Sequence, residues 1–183
     1  DRALAVAPFG AEAKFELPSE GARREVEIYD PLVEGMTLES MIELGQGLVD
    51  RLRHYNPRIL ASAGVGRYVA STRLLNSRGG NVSEHKSVFS ASLSGNLIEG
   101  EEMLDVWESD ASCRAQLDLD GLGRRVIDQF ERSRRAASAL PTGELPVIFV
   151  PKAVAEALLS PLLIAFSGQT VQQGASPLQG RLG

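Results

Sequence analysis

Few side chains in this chain are of the types that do covalent or metal chemistry, and their spacing narrows what they can do. The two histidines, His54 and His85, are far apart in sequence. His54 falls at the end of a helical pattern, where an imidazole meets the negative end of the helix dipole. His85 lies in a polar strand pattern, so both read as structural or solvated. Cys113 is the single cysteine, and there is no His-x-x-x-His spacing and no His-Glu pair, so zinc-ligand spacing is absent. Glu99, Glu101, Glu102, Asp105, Glu108 and Asp110 could supply a carboxylate pair or a cation site. A charged guard along a sheet edge accounts for them more simply. Arg124, Arg125, Arg132, Arg134 and Arg135 could hold a phosphate or an acidic partner, or form a solvated helix face with acidic neighbours. Gly64-Val65-Gly66 and Gly121-Leu122-Gly123 lack the third glycine of a dinucleotide fingerprint. The serines include no Gly-x-Ser-x-Gly elbow. The residues themselves therefore nominate no catalytic, cofactor-binding or metal-binding position.

The totals bound the function classes. With 183 residues and 43% hydrophobic content the chain can bury a proper core. Its net charge of −5 argues against a nucleic-acid backbone as the main partner. A lone cysteine excludes an internal disulfide and fits a reducing compartment. No apolar run reaches the roughly 18 residues that span a bilayer, and the start lacks a basic flank and long apolar core of the signal-peptide kind. The first residue is Asp1 rather than methionine, and the pattern at both ends predicts a stretch of a longer chain.

The elements that must carry these residues follow from periodicity. Residues 1–7 read as the last turns of a helix stopped by Pro8, and 9–20 as a connecting loop. Arg23–Tyr29 reads as a short edge strand or extended connector, and Asp30-Pro31 as a turn. Thr37 is an N-cap candidate for a helix with an apolar face of Leu38, Met41, Ile42, Gly45, Leu48, Val49 and Leu52, stopped by Asn56-Pro57. Strands are expected at 58–65 and 67–76, split by Gly64-Val65-Gly66, then at 82–94 and 101–113, with turns at 76–81 and in the stretch that Gly95-Asn96 and Gly100 bracket. Strands joined in this way predict an antiparallel meander. Asp118 or Asp120 caps a further helix with the face Leu119, Leu122, Val126, Phe130 and Ala137, ended by Pro141-Thr142-Gly143.

The last third is the most unusual. Leu145-Pro146-Val147-Ile148-Phe149-Val150-Pro151 reads as a buried strand. The apolar segment Ala153–Phe166, interrupted only by Glu156 and Ser160 and preceded by Lys152, reads as a helix buried on most sides. A polar, glycine-rich tail follows with no predicted helix or strand. The fold class is α+β: a largely antiparallel sheet with flanking amphipathic helices and a buried C-terminal helix. The domain division is a sheet-and-helix region over 1–140 and a strand–helix segment over 141–183 that leads into a further domain.

Three places together carry a family resemblance. They are Leu75-Asn76-Ser77-Arg78-Gly79 ahead of a serine-rich strand; the helix at 119–139 followed by Thr142-Gly143-Glu144-Leu145-Pro146-Val147-Ile148-Phe149; and Phe166-Ser167-Gly168-Gln169 with Gly174-Ala175-Ser176-Pro177-Leu178 and Gly180-Arg181-Leu182-Gly183. The opening Ala3-Leu4-Ala5, with Phe15-Glu16-Leu17-Pro18 and Asp30-Pro31, also suits the family's middle region. In this order and spacing they resemble the TldD/PmbA family, also called the modulator-of-DNA-gyrase family. The resemblance implies a bacterial or archaeal, cytoplasmic protein, from a family of longer chains, acting in a two-subunit zinc metallopeptidase that processes or degrades peptides.

In TldD-like subunits the helix after the Pro-Val-hydrophobic strand carries a His-Glu-x-x-x-His zinc motif. The matching helix here, Ala153 to Ile164, contains no histidine. The resemblance is therefore to the PmbA (TldE) type, which implies a non-catalytic subunit with no cofactor of its own. Zinc is expected in a TldD-like partner. The implied partners are that paralogue and a peptide, with no direct nucleic acid and no membrane. Glu156 alone lacks the ligands that would make it a metal-assisted base, and no catalytic residue is carried over. An extended peptide could add to a polar strand edge at 82–94. The alternative is a protein-interaction module acting on DNA gyrase without a proteolytic role.

Overall fold

A computed structural model describes residues 2–10, 16–19, 25–135 and 142–181, and the chain divides into two compact units, 1–137 and 138–183. In the first unit, helix α1 (Arg2–Val6) runs into a single 3-10 turn over Ala7–Phe9, stopped as Pro8 requires. Residues 25–30 form an extended connector rather than a strand. Asp30 begins a one-turn helix, α2 (Pro31–Glu34): its carboxylate accepts the Leu32 N–H at 2.9 Å, with Pro31 at the first helical position.

Helix α3 (Leu38–Tyr55) starts where expected. The Thr37 hydroxyl accepts the Ser40 N–H at 3.1 Å, Glu39 sits in the first turn, and Arg53 and His54 sit in the last. Its apolar stripe is used unevenly. Leu48 and Leu52 are buried, whereas Leu38 and Ile42 in the first turns are exposed, because the sheet lies under the C-terminal half only.

Three long strands form one antiparallel sheet in the order β1 (Leu60–Leu75), β2 (Asn81–Glu99), β3 (Glu102–Ser112). Two expected breaks are not there. Gly64-Val65-Gly66 lies within β1, paired with Ala91 and its neighbours, and Gly95-Asn96 lies within β2, paired with Ala61 and Leu60 on one side and with Val106 and Asp105 on the other. Glycine permits a turn without demanding one, and continuous pairing on β2 outweighs its strand penalty. The true turns are those where the chain needs a positive φ, at Gly79 (84°) and Gly100 (66°). At the first of these the Asn76 carboxamide oxygen accepts the Arg78 and Gly80 N–H groups at 2.9 and 2.8 Å.

Burial along β2 alternates strictly from Ser87 to Leu97, so the sheet has one covered and one open face. Helix α3 and helix α4 (Leu119–Arg135) cover the first with a core of Leu48, Leu52, Ile59, Ala91, Leu93, Leu97, Val106, Leu122, Val126 and Phe130. Asp118 rather than Asp120 acts as the start signal of α4, its carboxylate accepting the Gly121 N–H at 2.7 Å. Of the expected face, Leu122, Val126 and Phe130 are fully buried, Leu119 is half-buried, and Ala137 falls outside the described residues.

The second unit departs from expectation. Residues 144–150 are extended but pair with no strand, and Ile148 is 92% exposed. A β-branched run supplies propensity, yet a strand needs a ladder partner, and no other strand occurs among the described residues 142–181. The helix after it is present but not buried: Val154, Leu158, Leu162, Leu163 and Phe166 are exposed and Ala165 alone among its apolar residues is buried. The tail provides only a small capping surface, so the helix has nothing in this unit to bury against. It is also irregular. α5 (Pro151–Ala153) passes into a π segment (Val154–Leu159) and then α6 (Ser160–Ala165). Pro161 has no N–H to offer the Ala157 carbonyl and its ring crowds that turn. The helix widens, and the Ser160 N–H and hydroxyl both reach back to the Ala155 carbonyl. The tail, expected to be irregular, contains a short helix, α7 (Gly168–Gln172). Its far end is tied back by the buried Ser176 hydroxyl, which donates to the Ala165 carbonyl at 2.7 Å.

Candidate functional site

The residues that sequence singled out for chemistry are dispersed. His54 uses Nδ1 against the Asp50 carbonyl at 2.7 Å, a helix-end contact. The acidic series runs along β3 and its preceding turn, at an edge of the sheet. Glu99 pairs with Arg58, Asp110 with Arg125 at 3.3 Å, and Glu108 accepts from the Gln129 side chain. Among the described residues no group of three His, Cys, Asp or Glu side chains could hold a metal ion. Of the α4 arginines, Arg124 pairs with Asp118 and Arg132 with Asp128, each at 3.6 Å, so this face is balanced by carboxylates of its own chain. The strand proposed to accept a peptide, 82–94, is the central strand: β1 pairs along all of it and β3 along part, so the outer edges belong to β1 and β3.

One constellation was not found by sequence. A groove of about 730 Å³ lies between the connector 25–29 and β2 residues 82–85, with Arg114 at its rim. At its base the Tyr29 and His85 rings are 3.9 Å apart between centroids and tilted by 36°. The Tyr29 hydroxyl donates to the Glu34 carboxylate, and this bond raises the phenol above its ordinary range. Arg114 pairs with Glu27 at 2.8 Å. Beside the groove, the buried Ser87 hydroxyl accepts the Asp30 N–H and donates to the Cys113 carbonyl. The Asp30 carboxylate accepts the Ala115 N–H at 2.9 Å as well as that of Leu32, and these two bonds hold its carboxyl below the usual range. The signal available in sequence was Asp30-Pro31, which is a helix start as well as a turn.

The open face of the sheet offers a second depression, about 590 Å³, floored by Gly64, Gly66, Ser90, Ser92, Ser109 and Ala111. A Cβ on Gly64 would come within 2.9 Å of the Ser92 hydroxyl, so glycine there keeps the floor flat. Neither depression combines a nucleophile, a base and an oxyanion donor at reacting distance.

Residues 142–183 match the model of the PmbA/TldA metallopeptidase C-terminal domain. An uncharacterized protein of Methanocaldococcus jannaschii is 30% identical over 160 residues, which are 86% of this chain and 35% of that protein. The chain thus spans about a third of the length of the curated relative it matches. Among solved structures, TldE from Thermococcus kodakarensis superposes with a TM-score of 0.76 at 23% identity, over 100% of this chain and 42% of that one. A Thermotoga maritima protein described as a candidate modulator of DNA gyrase superposes with a TM-score of 0.82 at 16% identity, over 98% and 42%. A Bacteroides thetaiotaomicron protein of the same description gives 0.71 at 19%, over 99% and 43%. The α+β fold is therefore shared along the whole chain.

The metallopeptidase description makes zinc the group to test. Across 142–181 the only side chains of metal-donor type are the carboxylates of Glu144 and Glu156. That donor set does not fit a zinc centre, which needs three or four nitrogen, sulfur or oxygen ligands converging tetrahedrally. No described helix is long and apolar enough to cross a membrane.

Proposed function

We propose that this chain, which belongs to the PmbA/TldD family, works as a subunit without a catalytic centre of its own in a two-subunit zinc metallopeptidase. The observation that carries the reading is the helix after the extended Leu145–Val150 segment. It lies within the part that matches the metallopeptidase domain, yet between Pro151 and Ala165 its only metal-donor side chain is Glu156. Zinc then belongs to a TldD-like paralogue, and the exposed apolar side chains of α5–α6 are suited to contact with protein rather than water. The substrate is a peptide, and the setting is the cytoplasm of a bacterium or archaeon. The reading is compatible with a long sheet that α3 and α4 cover on one face only.

The test is co-expression of the full-length protein with the zinc-motif paralogue of the same genome, followed by peptide hydrolysis with and without a chelator. Chelator-sensitive cleavage by the complex and none by this protein alone is the expected result. No complex and no cleavage would overturn it and move the gyrase-modulating reading ahead. That second reading is prompted by the descriptions of the Thermotoga and Bacteroides proteins. It is testable as salt-sensitive binding to a gyrase subunit that is lost on charge reversal at Arg124 and Arg125.

A further inference from the structure

β2 is a central strand only as far as β3 reaches. The β2–β3 ladder stops at Phe89, paired with Ser112, whereas β1 continues along β2 to Asn81. Before Phe89, the side of β2 turned away from β1 has no strand beside it. The pairing also fixes where its backbone groups point. Ser87 donates its N–H to the Ile28 carbonyl, on the side away from β1, and the β1–β2 register is unbroken from Leu75 to Leu60. Successive residues of a paired strand turn their N–H and C=O to alternate sides, so Ser83 and His85 also turn theirs away from β1. Among the described residues no backbone group bonds to these four, and none bonds to the backbone of 25–27 across the groove. Every open sheet has free edges, but this one is recessed. The groove of about 730 Å³ runs along it with the extended connector as its opposite wall. The bonds from Ser87 to Ile28 and Cys113 close one end. No proline or glycine interrupts β2 between Asn81 and Ser94, so nothing in the strand blunts further pairing.

We propose that this recessed edge of β2 binds an extended peptide by strand addition, with the backbones of Ser83 and His85 as its pairing partners. The edge itself names the ligand. Two N–H donors and two C=O acceptors, repeating every second residue at about 7 Å, are matched by another extended main chain. The slot from Asn81 to Lys86 takes about six residues, roughly 20 Å at strand rise. A peptide residue opposite His85 sends its side chain to the same face as the imidazole. There it meets the stacked rings of Tyr29 and His85, a surface that suits an apolar or β-branched side chain. Recognition through the main chain makes the site tolerant of sequence at the other positions.

The inference does not rest on the peptidase reading, and its failure would leave the co-expression result untouched. The test uses the full-length native protein and a capped, fluorescein-labelled seven-residue peptide that alternates valine and threonine, so that no side chain can bind by charge. Fluorescence anisotropy measures binding, and hydrogen exchange follows the amides of 81–87. The expected result is binding that slows exchange at Ser83 and His85 and leaves their neighbours 82, 84 and 86, already bonded to β1, unchanged. His85→Pro removes the outward N–H without touching the bonds to β1 and weakens binding about tenfold. His85→Ala keeps that N–H and stays within about threefold of the parent. Ser83→Pro and Ser83→Ala divide in the same way, with circular dichroism to verify the folding of each variant. No binding by the parent, or equal binding by proline and alanine variants, would overturn the proposal. So would slow exchange at Ser83 and His85 in the peptide-free protein, which would mean that its own chain fills the groove.

Discussion

The hydroxyl of Ser87 accepts the backbone N–H of Asp30 at 2.9 Å although 57 residues separate them. The same hydroxyl donates to the Cys113 carbonyl at 2.8 Å, so one fully buried atom ties the connector before α2, the central strand and the exit from β3. Asp30 completes the node through the Ala115 N–H. Three segments distant in sequence are thus held in register by paired polar groups, as buried polar atoms require.

Ser87→Ala should therefore cost more than the loss of one surface hydroxyl. It strands an N–H and a carbonyl away from water, about 2 kcal/mol in all. Chemical denaturation of the variant against the parent measures this, and a change within experimental error would mean that water replaces the hydroxyl.

The Asp30 carboxyl sets a pH dependence with a definite sign. Its folded-state pKa lies below the ordinary value of 3.8 because two N–H groups favour the charged form. The folded state thus binds the proton less readily than the unfolded state, and stability rises with pH across that interval. The contribution is fully present above the unfolded pKa and is lost as pH falls through the depressed folded one. Asp30→Asn should be less stable than the parent at neutral pH, with the gap closing in acid. Denaturation midpoints across the acid limb give the answer, and a gap that stays constant would show that Asp30 does not titrate with folding.

Gly95 is a packing requirement rather than a turn. A Cβ there would lie 2.8 Å from side-chain carbons of Ile59 and Leu52 and 2.9 Å from Phe130. Gly95→Ala should destabilise by about 1–3 kcal/mol through overpacking, whereas Gly47→Ala, in helix α3 with nothing within 4 Å, should stabilise by about 0.5–1 kcal/mol through helix propensity. Thermal unfolding of both variants separates the two cases.

Glu156 tests the functional reading at a residue. If it has no catalytic part, Glu156→Ala in the co-purified complex leaves chelator-sensitive cleavage within about twofold of the parent, whereas loss of a true base costs roughly a hundredfold or more. Single-turnover assays on the complex decide it.

Local signals were legible where one short interaction decides the outcome. Thr37 and Asp118 start their helices, Asn76–Gly80 and Gly100 turn the chain, and Leu122, Val126 and Phe130 form a buried stripe, because caps, positive φ and a 3.6-residue period act within a few residues. The family likeness was legible for the same reason, as ordered short motifs. What depends on a partner distant in sequence was not. Pairing along β2 decided that Gly64-Val65-Gly66 and Gly95-Asn96 stay within strands. The absence of a ladder partner within residues 142–181 left Leu145–Val150 extended and unpaired, and the absence of a covering layer left the 151–165 helix exposed. The Asp30–Ser87–Cys113 node joins positions with no mutual spacing rule at all. Propensity and periodicity belong to the chain by itself, whereas pairing, burial and polar satisfaction exist only once a second segment arrives.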